Sequence, residues 1–178
     1  MKILIVICLV LLMIAGTTTT VRAQVTAHSL AGAKIVGALT IVNDQKLDFG
    51  TMSIPTAALT VTFPTSGIRT TSNPLNIVLI TLEQGTHAHF NVTGEAGYHY
   101  KITLPSNGDT KIKIGATSDE MSVDNFLART TSVPGSDGVA GILNSGVDDF
   151  SVGATLKLLN AQIPGTYAGS FDVMVTYD

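Results

Sequence analysis

The last fourteen residues of the chain, Gly165-Thr-Tyr-Ala-Gly-Ser-Phe-Asp-Val-Met-Val-Thr-Tyr-Asp178, constrain its fold most. Beyond the turn signals Pro164, Gly165 and Gly169, the residues Phe171, Val173, Val175 and Tyr177 recur at period 2. Successive side chains of a strand point to opposite faces, so these four share one face of a strand predicted over 169–177. The chain ends one residue after Tyr177. A final apolar strand with no following strand to cover it, set at a sheet edge, offers free N–H and C=O groups to another chain. The ending points to assembly rather than catalysis.

The rest of the chain also reads as β. Helical periodicity is poor, and Gly, Thr, Ser, Pro and Asn punctuate it throughout. Strands are predicted near 34–42, 46–49, 58–63, 75–82, 86–93, 98–104, 110–115, 154–160 and 169–177. Seven to nine short strands in one domain imply an all-β sandwich or Greek-key barrel. One helical turn is expected around 119–128, and an exposed loop over 132–148, which is rich in Gly, Ser and Asp.

The N-terminus reads as a secretory signal peptide over 1–23. Lys2 precedes an apolar run from Ile3 to Ile14, and Val21-Arg22-Ala23 supplies a small-residue cleavage site. The run falls short of the roughly 20 apolar residues that span a bilayer. Removing 23 of 178 residues would leave a single domain over 24–178, and losing Lys2 and Arg22 would take the net charge from −3 to −5. Its one cysteine, Cys8, would go with the leader, so no disulfide staples the mature chain. Mild acidity without a Lys/Arg cluster argues against nucleic acid as a partner, and no second run is long enough to cross a membrane.

A hairpin is predicted around Gly94-Glu95-Ala96-Gly97, pairing Val92 with Tyr98 and Phe90 with Tyr100. His87, His89 and His99 would then share the opposite face, where imidazoles suit zinc or copper. The simpler reading, a solvated face, is preferred: Lys101 would sit opposite His89 and no carboxylate is placed to help. No metal and no cofactor are therefore expected. The acidic pairs Asp119-Glu120 and Asp148-Asp149 read as solvated loop. No nucleophile elbow, zinc-protease helix, phosphate loop or EF-hand spacing occurs, so no enzyme is expected.

Several segments together resemble a known family: Leu47-Asp-Phe-Gly50, Phe90-Asn-Val-Thr-Gly94, Tyr98-x-Tyr100-x-Ile102-Thr-Leu-Pro105, Val152-Gly-Ala-Thr-Leu156 and the 165–177 ending. They look like exported bacterial domains catalogued as a domain of unknown function, over nearly the whole mature chain. The resemblance implies an immunoglobulin-like Greek-key β-sandwich. The ending is also similar to the C-terminal motif of chaperone–usher pilins, with Tyr177 penultimate and Gly165 fourteenth from the end. That similarity implies a fimbrial subunit that reaches the cell surface through the periplasm. Its partners would be copies of itself or related subunits, a periplasmic chaperone and an outer-membrane usher. Gly165, Phe171, Val173, Val175 and Tyr177 would form the strand held by chaperone or neighbour. Residues 24–32 would be the donated segment, with Val25, Ala27 and Ala31 in one frame and Leu30 in the other. The alternative is a self-complete secreted sandwich acting as an adhesion or ligand-binding module. Without Trp, and with four Tyr, the chain has little for a sugar-stacking platform.

Overall fold

The computed structural model describes residues 22–115 and 118–178. Residues 1–21 of the predicted leader lie outside the described residues. The chain divides into two units, the first ending at Ile35 and the second running from Val36 to Asp178. Residues 22–35 of the first unit form no strand or helix and are exposed, with Leu30 and Val25 at 101% and 93%.

The second unit is all-β, with ten strands and no helix among the described residues. They are β1 (Thr40–Gln45), β2 (Leu59–Phe63), β3 (Thr70–Thr71), β4 (Ala88–Thr93), β5 (His99–Thr103), β6 (Thr110–Lys113), β7 (Glu120–Thr130), β8 (Ala140–Ile142), β9 (Val147–Leu158) and β10 (Met174–Tyr177). All pairings are antiparallel and form a seven-stranded and a three-stranded sheet around one core. That is the layered arrangement expected of a β-sandwich.

Strand β9 organises the larger sheet. Val152 pairs with both Ala88 and Ala128, which puts β4 and β7 on opposite edges of β9. Thr155 pairs with both Thr62 and Asp124, so β2 takes over the β4 edge further along. Both edges of β9 are therefore occupied, and Phe150, Val152, Ala154 and Leu156 are buried. Phe150 faces Phe90 on β4 with rings stacked 5.1 Å apart, a cross-strand aromatic pair that fixes register.

The predicted hairpin at 94–97 does not form. Strand β4 lies in the large sheet between β1 and β9, whereas β5 lies in the small sheet between β10 and β8. The five-residue connection 94–98 changes sheets, held by Gly94 N–H on Gly146 O and Gly97 N–H on Leu143 O. Phe90 and Val92 do share the interior with Tyr100 and Ile102, but from opposite walls. An alternation pattern reports which residues face inward, not which sheet carries them.

The expected helical turn at 119–128 is also overturned, because this segment is most of the eleven-residue strand β7. Asn125 sits at φ 51° where the register shifts, so buried positions change from Met121 and Val123 to Phe126, Ala128 and Thr130. A bulge inserts one residue and flips the alternation, which hides the strand from a period-2 search. Asp124 anchors the bulge, accepting the Gly108 N–H at 2.6 Å and pairing with Lys157 Nζ at 2.6 Å. The expected loop over 132–148 contains β8 and the start of β9. The predicted strand at 75–82 has only a single bridge, Met52 to Leu79, and 46–49 only Asp48 to Thr86.

Candidate functional site

The C-terminal segment keeps its predicted period over a shorter regular strand. Phe171, Val173, Val175 and Tyr177 are half-buried against the core, while Asp172, Met174 and Thr176 are exposed. Phe171 packs on Phe126 with ring centroids 4.9 Å apart. Met174 pairs with Thr103 and Thr176 with Lys101 on β5, and the Asp178 N–H continues the ladder onto His99 O at 3.1 Å. Upstream, Ala168 exchanges two 2.9 Å backbone bonds with Lys113 on β6. Backbone groups alternate sides along a strand. Positions 168, 174, 176 and 178 thus serve β6 and β5, which turns the backbone groups of their neighbours Tyr167, Gly169 and Val175 to the other edge; 169–173 between them form no regular strand. No named strand pairs with that edge among the described residues.

Beside this edge runs an open cleft of about 840 Å³. One wall is Lys46–Pro55 and the other is Gln162–Phe171; the floor is Ile112, Met121, Val123, Leu156 and Leu158. The floor residues belong to the core, on the inner faces of β6, β7 and β9. The 46–55 wall is paired mainly on its far side, and at its end Pro55 O accepts the Ala161 N–H at 3.0 Å. Ser53 N–H bonds Val78 O at 2.9 Å and Ile80 N–H bonds Thr51 O at 3.1 Å, flanking the Met52–Leu79 bridge. That pattern turns the Met52 backbone groups toward the cleft. An apolar trough with the Met52 backbone on one wall and the Tyr167 and Gly169 backbone on the other turned from their partners has the shape that accepts an extended segment.

The polar groups of the cleft are engaged with one another. Tyr167 hydroxyl donates to Ile163 O at 2.8 Å and accepts from Gln162 Nε2 at 2.9 Å. Asp48 pairs with Lys46 at 2.8 Å and accepts the Gly50 N–H at 2.8 Å. The Lys46 hydrogen bond, working against burial, holds the Asp48 carboxyl below its ordinary value. The arrangement is equipped for packing and backbone pairing rather than for bond-making chemistry.

At its other end the C-terminal strand is closed. Tyr177 hydroxyl donates to Gly37 O at 2.9 Å and accepts the Glu95 N–H at 2.7 Å, with its ring edge-on to Tyr98 at 5.7 Å. Tyr177, expected as a contact for a partner, is used internally to tie the strand to the chain before β1. Gly165 lies beside Ile114, but Gly169 is the tighter position, since an added Cβ there would come within 2.5 Å of Lys111 O. Val25, Ala27 and Leu30 lie in the first unit, outside any strand.

The three histidines do not share a face. His99 is exposed on β5 in the small sheet, while His87 and His89 belong to the β4 segment of the large sheet. Lys101 pairs with Thr176 and Ala140, not with His89. His89 does have carboxylates, contrary to expectation: Nδ1 lies 2.7 Å from Asp44 and Nε2 lies 3.1 Å from Asp149. Burial lowers its pKa, but the bonds to Asp44 and Asp149 outweigh this and raise it above the ordinary histidine value. Burial moves His87 the other way. Among the described residues no group of three or more His, Cys, Asp or Glu is arranged to hold a metal ion. The acidic pairs are not solvated loop either. Glu120 pairs with Lys111 and with Lys113 on β6, Asp148 accepts the Tyr100 hydroxyl at 2.9 Å, and Asp149 accepts Thr131 Oγ1 at 2.6 Å.

Residues 39–177, from the last residue before β1 to the end of β10, match a domain of unknown function, DUF4402. The chain belongs to the DUF4402 family. The match takes in both walls and the floor of the cleft. Comparison with curated proteins and with solved structures finds no match. The cleft walls were legible only in outline from sequence: Leu47 and Phe49 show a short alternation, but nothing local marks 162–167 or Met52 as facing them.

Proposed function

We propose that this protein is a non-enzymatic structural subunit of a bacterial surface fibre, assembled by β-strand addition. The observation that carries the reading is the apolar cleft between 46–55 and 162–171, the segment ahead of β10 whose Tyr167 and Gly169 backbone groups turn away from β6. A strand laid there would pair with Tyr167, Gly169 and Phe171 on one side and set alternate side chains on the floor. Residues 24–32 of a second copy are the proposed donor, and their lack of regular structure within their own unit is consistent with pairing elsewhere. In this reading the chain is exported through a signal peptide over 1–23. A periplasmic chaperone covers the cleft until an outer-membrane usher passes the subunit on.

Protein recovered from producing cells should run as a ladder in detergent without heating and collapse to one band on boiling. Deleting 24–32 should abolish the ladder and leave a less stable or chaperone-bound monomer. A freely soluble, fully stable monomer after that deletion would sink the fibre reading. It would favour the alternative, a self-complete adhesion or ligand-binding module, for which a cleft of this volume is also within the range of small-ligand sites.

A further inference from the structure

Arg69 is buried to 5% exposure immediately before the edge strand β3, and its guanidinium touches no carboxylate among the described residues. Its two terminal nitrogens donate instead to two backbone carbonyls, Nη1 to Phe49 O and Nη2 to Ile80 O at 2.5 Å. Those carbonyls belong to the cleft wall and to the segment hydrogen-bonded behind it. Gly50 and Gly85, at φ 67° and 80°, bring the same two segments together so closely that an added Cβ on either would strike the other's backbone. Its nearest opposing charge is the Asp48 carboxylate of the same wall, which interacts with it through space without an ion-pair contact. A desolvated charge so held is a costly way to gain stability, since an apolar side chain of similar size commonly does as well. What a planar guanidinium supplies that an apolar group does not is a fixed geometry between two acceptors.

We propose that Arg69 is a positioning residue for the cleft: it clamps the 46–55 wall to the large sheet through β3, so the trough stands open at its width before any strand arrives. This rests on the strand-accepting reading and adds that acceptance depends on a preset wall. Such pre-organisation lowers the ordering cost of binding. The clamp also explains why the wall keeps its backbone bonds on the far side, leaving Met52 free to face the trough.

The test uses the full chain and a fluorescein-labelled synthetic peptide of residues 24–32, followed by anisotropy. Arg69→Met should keep a cooperative melt yet raise the peptide Kd at least tenfold. Arg69→Lys, which reaches one carbonyl, should raise it by less. Phe150→Leu, which loosens the core away from the cleft, should leave it unchanged. A folded Arg69→Met protein that binds within twofold of the parent overturns the proposal, as does equal weakening by Phe150→Leu. Should Arg69→Met fail to fold, amide exchange on the parent decides. Thr51 and Ser53 amides protected before peptide is added support the clamp; protection only after addition overturns it. If the parent binds no peptide, the strand-accepting reading falls, and the exchange result still judges the clamp.

Discussion

The two ends of the C-terminal segment solve the same problem in opposite ways. Around Tyr177 the exposed core is sealed from within: one hydroxyl bridges Gly37 O and Glu95 N, and the ring leans on Tyr98. Around 165–171 the same segment borders an open trough floored by core side chains. The difference is one of inventory. A single aromatic with a polar tip covers a small gap and satisfies two backbone groups. A gap several residues long, with a row of backbone donors and acceptors, requires another length of backbone.

The largest expected effect contrasts the saturated centre of the molecule with this border. Val152, paired on both sides and fully buried, should not tolerate Asp; an unpaired charge there is expected to cost more than about 4 kcal/mol and leave no soluble folded protein. Soluble yield and far-UV circular dichroism would check this, and a folded variant would mean that β9 is not the organising strand. Val173→Asp and Val175→Asp come next. Both sites are half-buried, so the carboxylate can lean toward water, and a loss of about 1–3 kcal/mol with reduced soluble protein is expected. Melting like the parent in both variants would detach this segment from the core and dissolve the comparison.

Tyr177→Phe sharpens the closed end alone. Removing the hydroxyl strands the Glu95 N–H, for about 1 kcal/mol and a melting point roughly 2–4 °C lower. The same variant should leave peptide binding at the open end unaltered; a joint loss would show the two ends to be one site.

The smallest effect is a pH dependence at a site apart from both ends. With both ring nitrogens against carboxylates, His89 is best bonded as the imidazolium. Its folded pKa is raised, so its contribution is fully present below the unfolded value of about 6.5 and is lost as pH rises through the folded value. Asp44 is lowered, chiefly by the bond to His89, so its share is lost as pH falls through its folded value below 3.8. The clamp between β1, β4 and β9 is thus complete between those limits. Melting followed from pH 5 to 9 should show a small decline that His89→Gln removes; an identical slope in the variant would assign the decline elsewhere.

Sequence pattern carried some distance. The alternation at 171–177 located a half-buried face, and β-branched segments between turn signals identified the fold class and the positions of β2, β4, β5 and β6. It failed where one extra residue reversed the alternation, as at Asn125 in β7, and where short polar stretches became strands only by pairing, as in β8.

By itself, then, the sequence determined that the fold is all-β, which side chains of the regularly alternating segments such as 90–92 and 100–102 face inward, and that the C-terminal segment has an apolar face. These follow from period 2, a property of neighbouring residues. Only the tertiary structure decided that β4 and β5 lie in different sheets, that His89 meets Asp44 and Asp149, and that a buried Arg69 holds one wall of an apolar trough whose other wall is the C-terminal segment. The last two are meetings of segments 11 to 120 or so positions apart in the chain, and the first separates neighbours in sequence; all are set by strand pairing and sheet packing, and no local periodicity encodes which strand will be the neighbour.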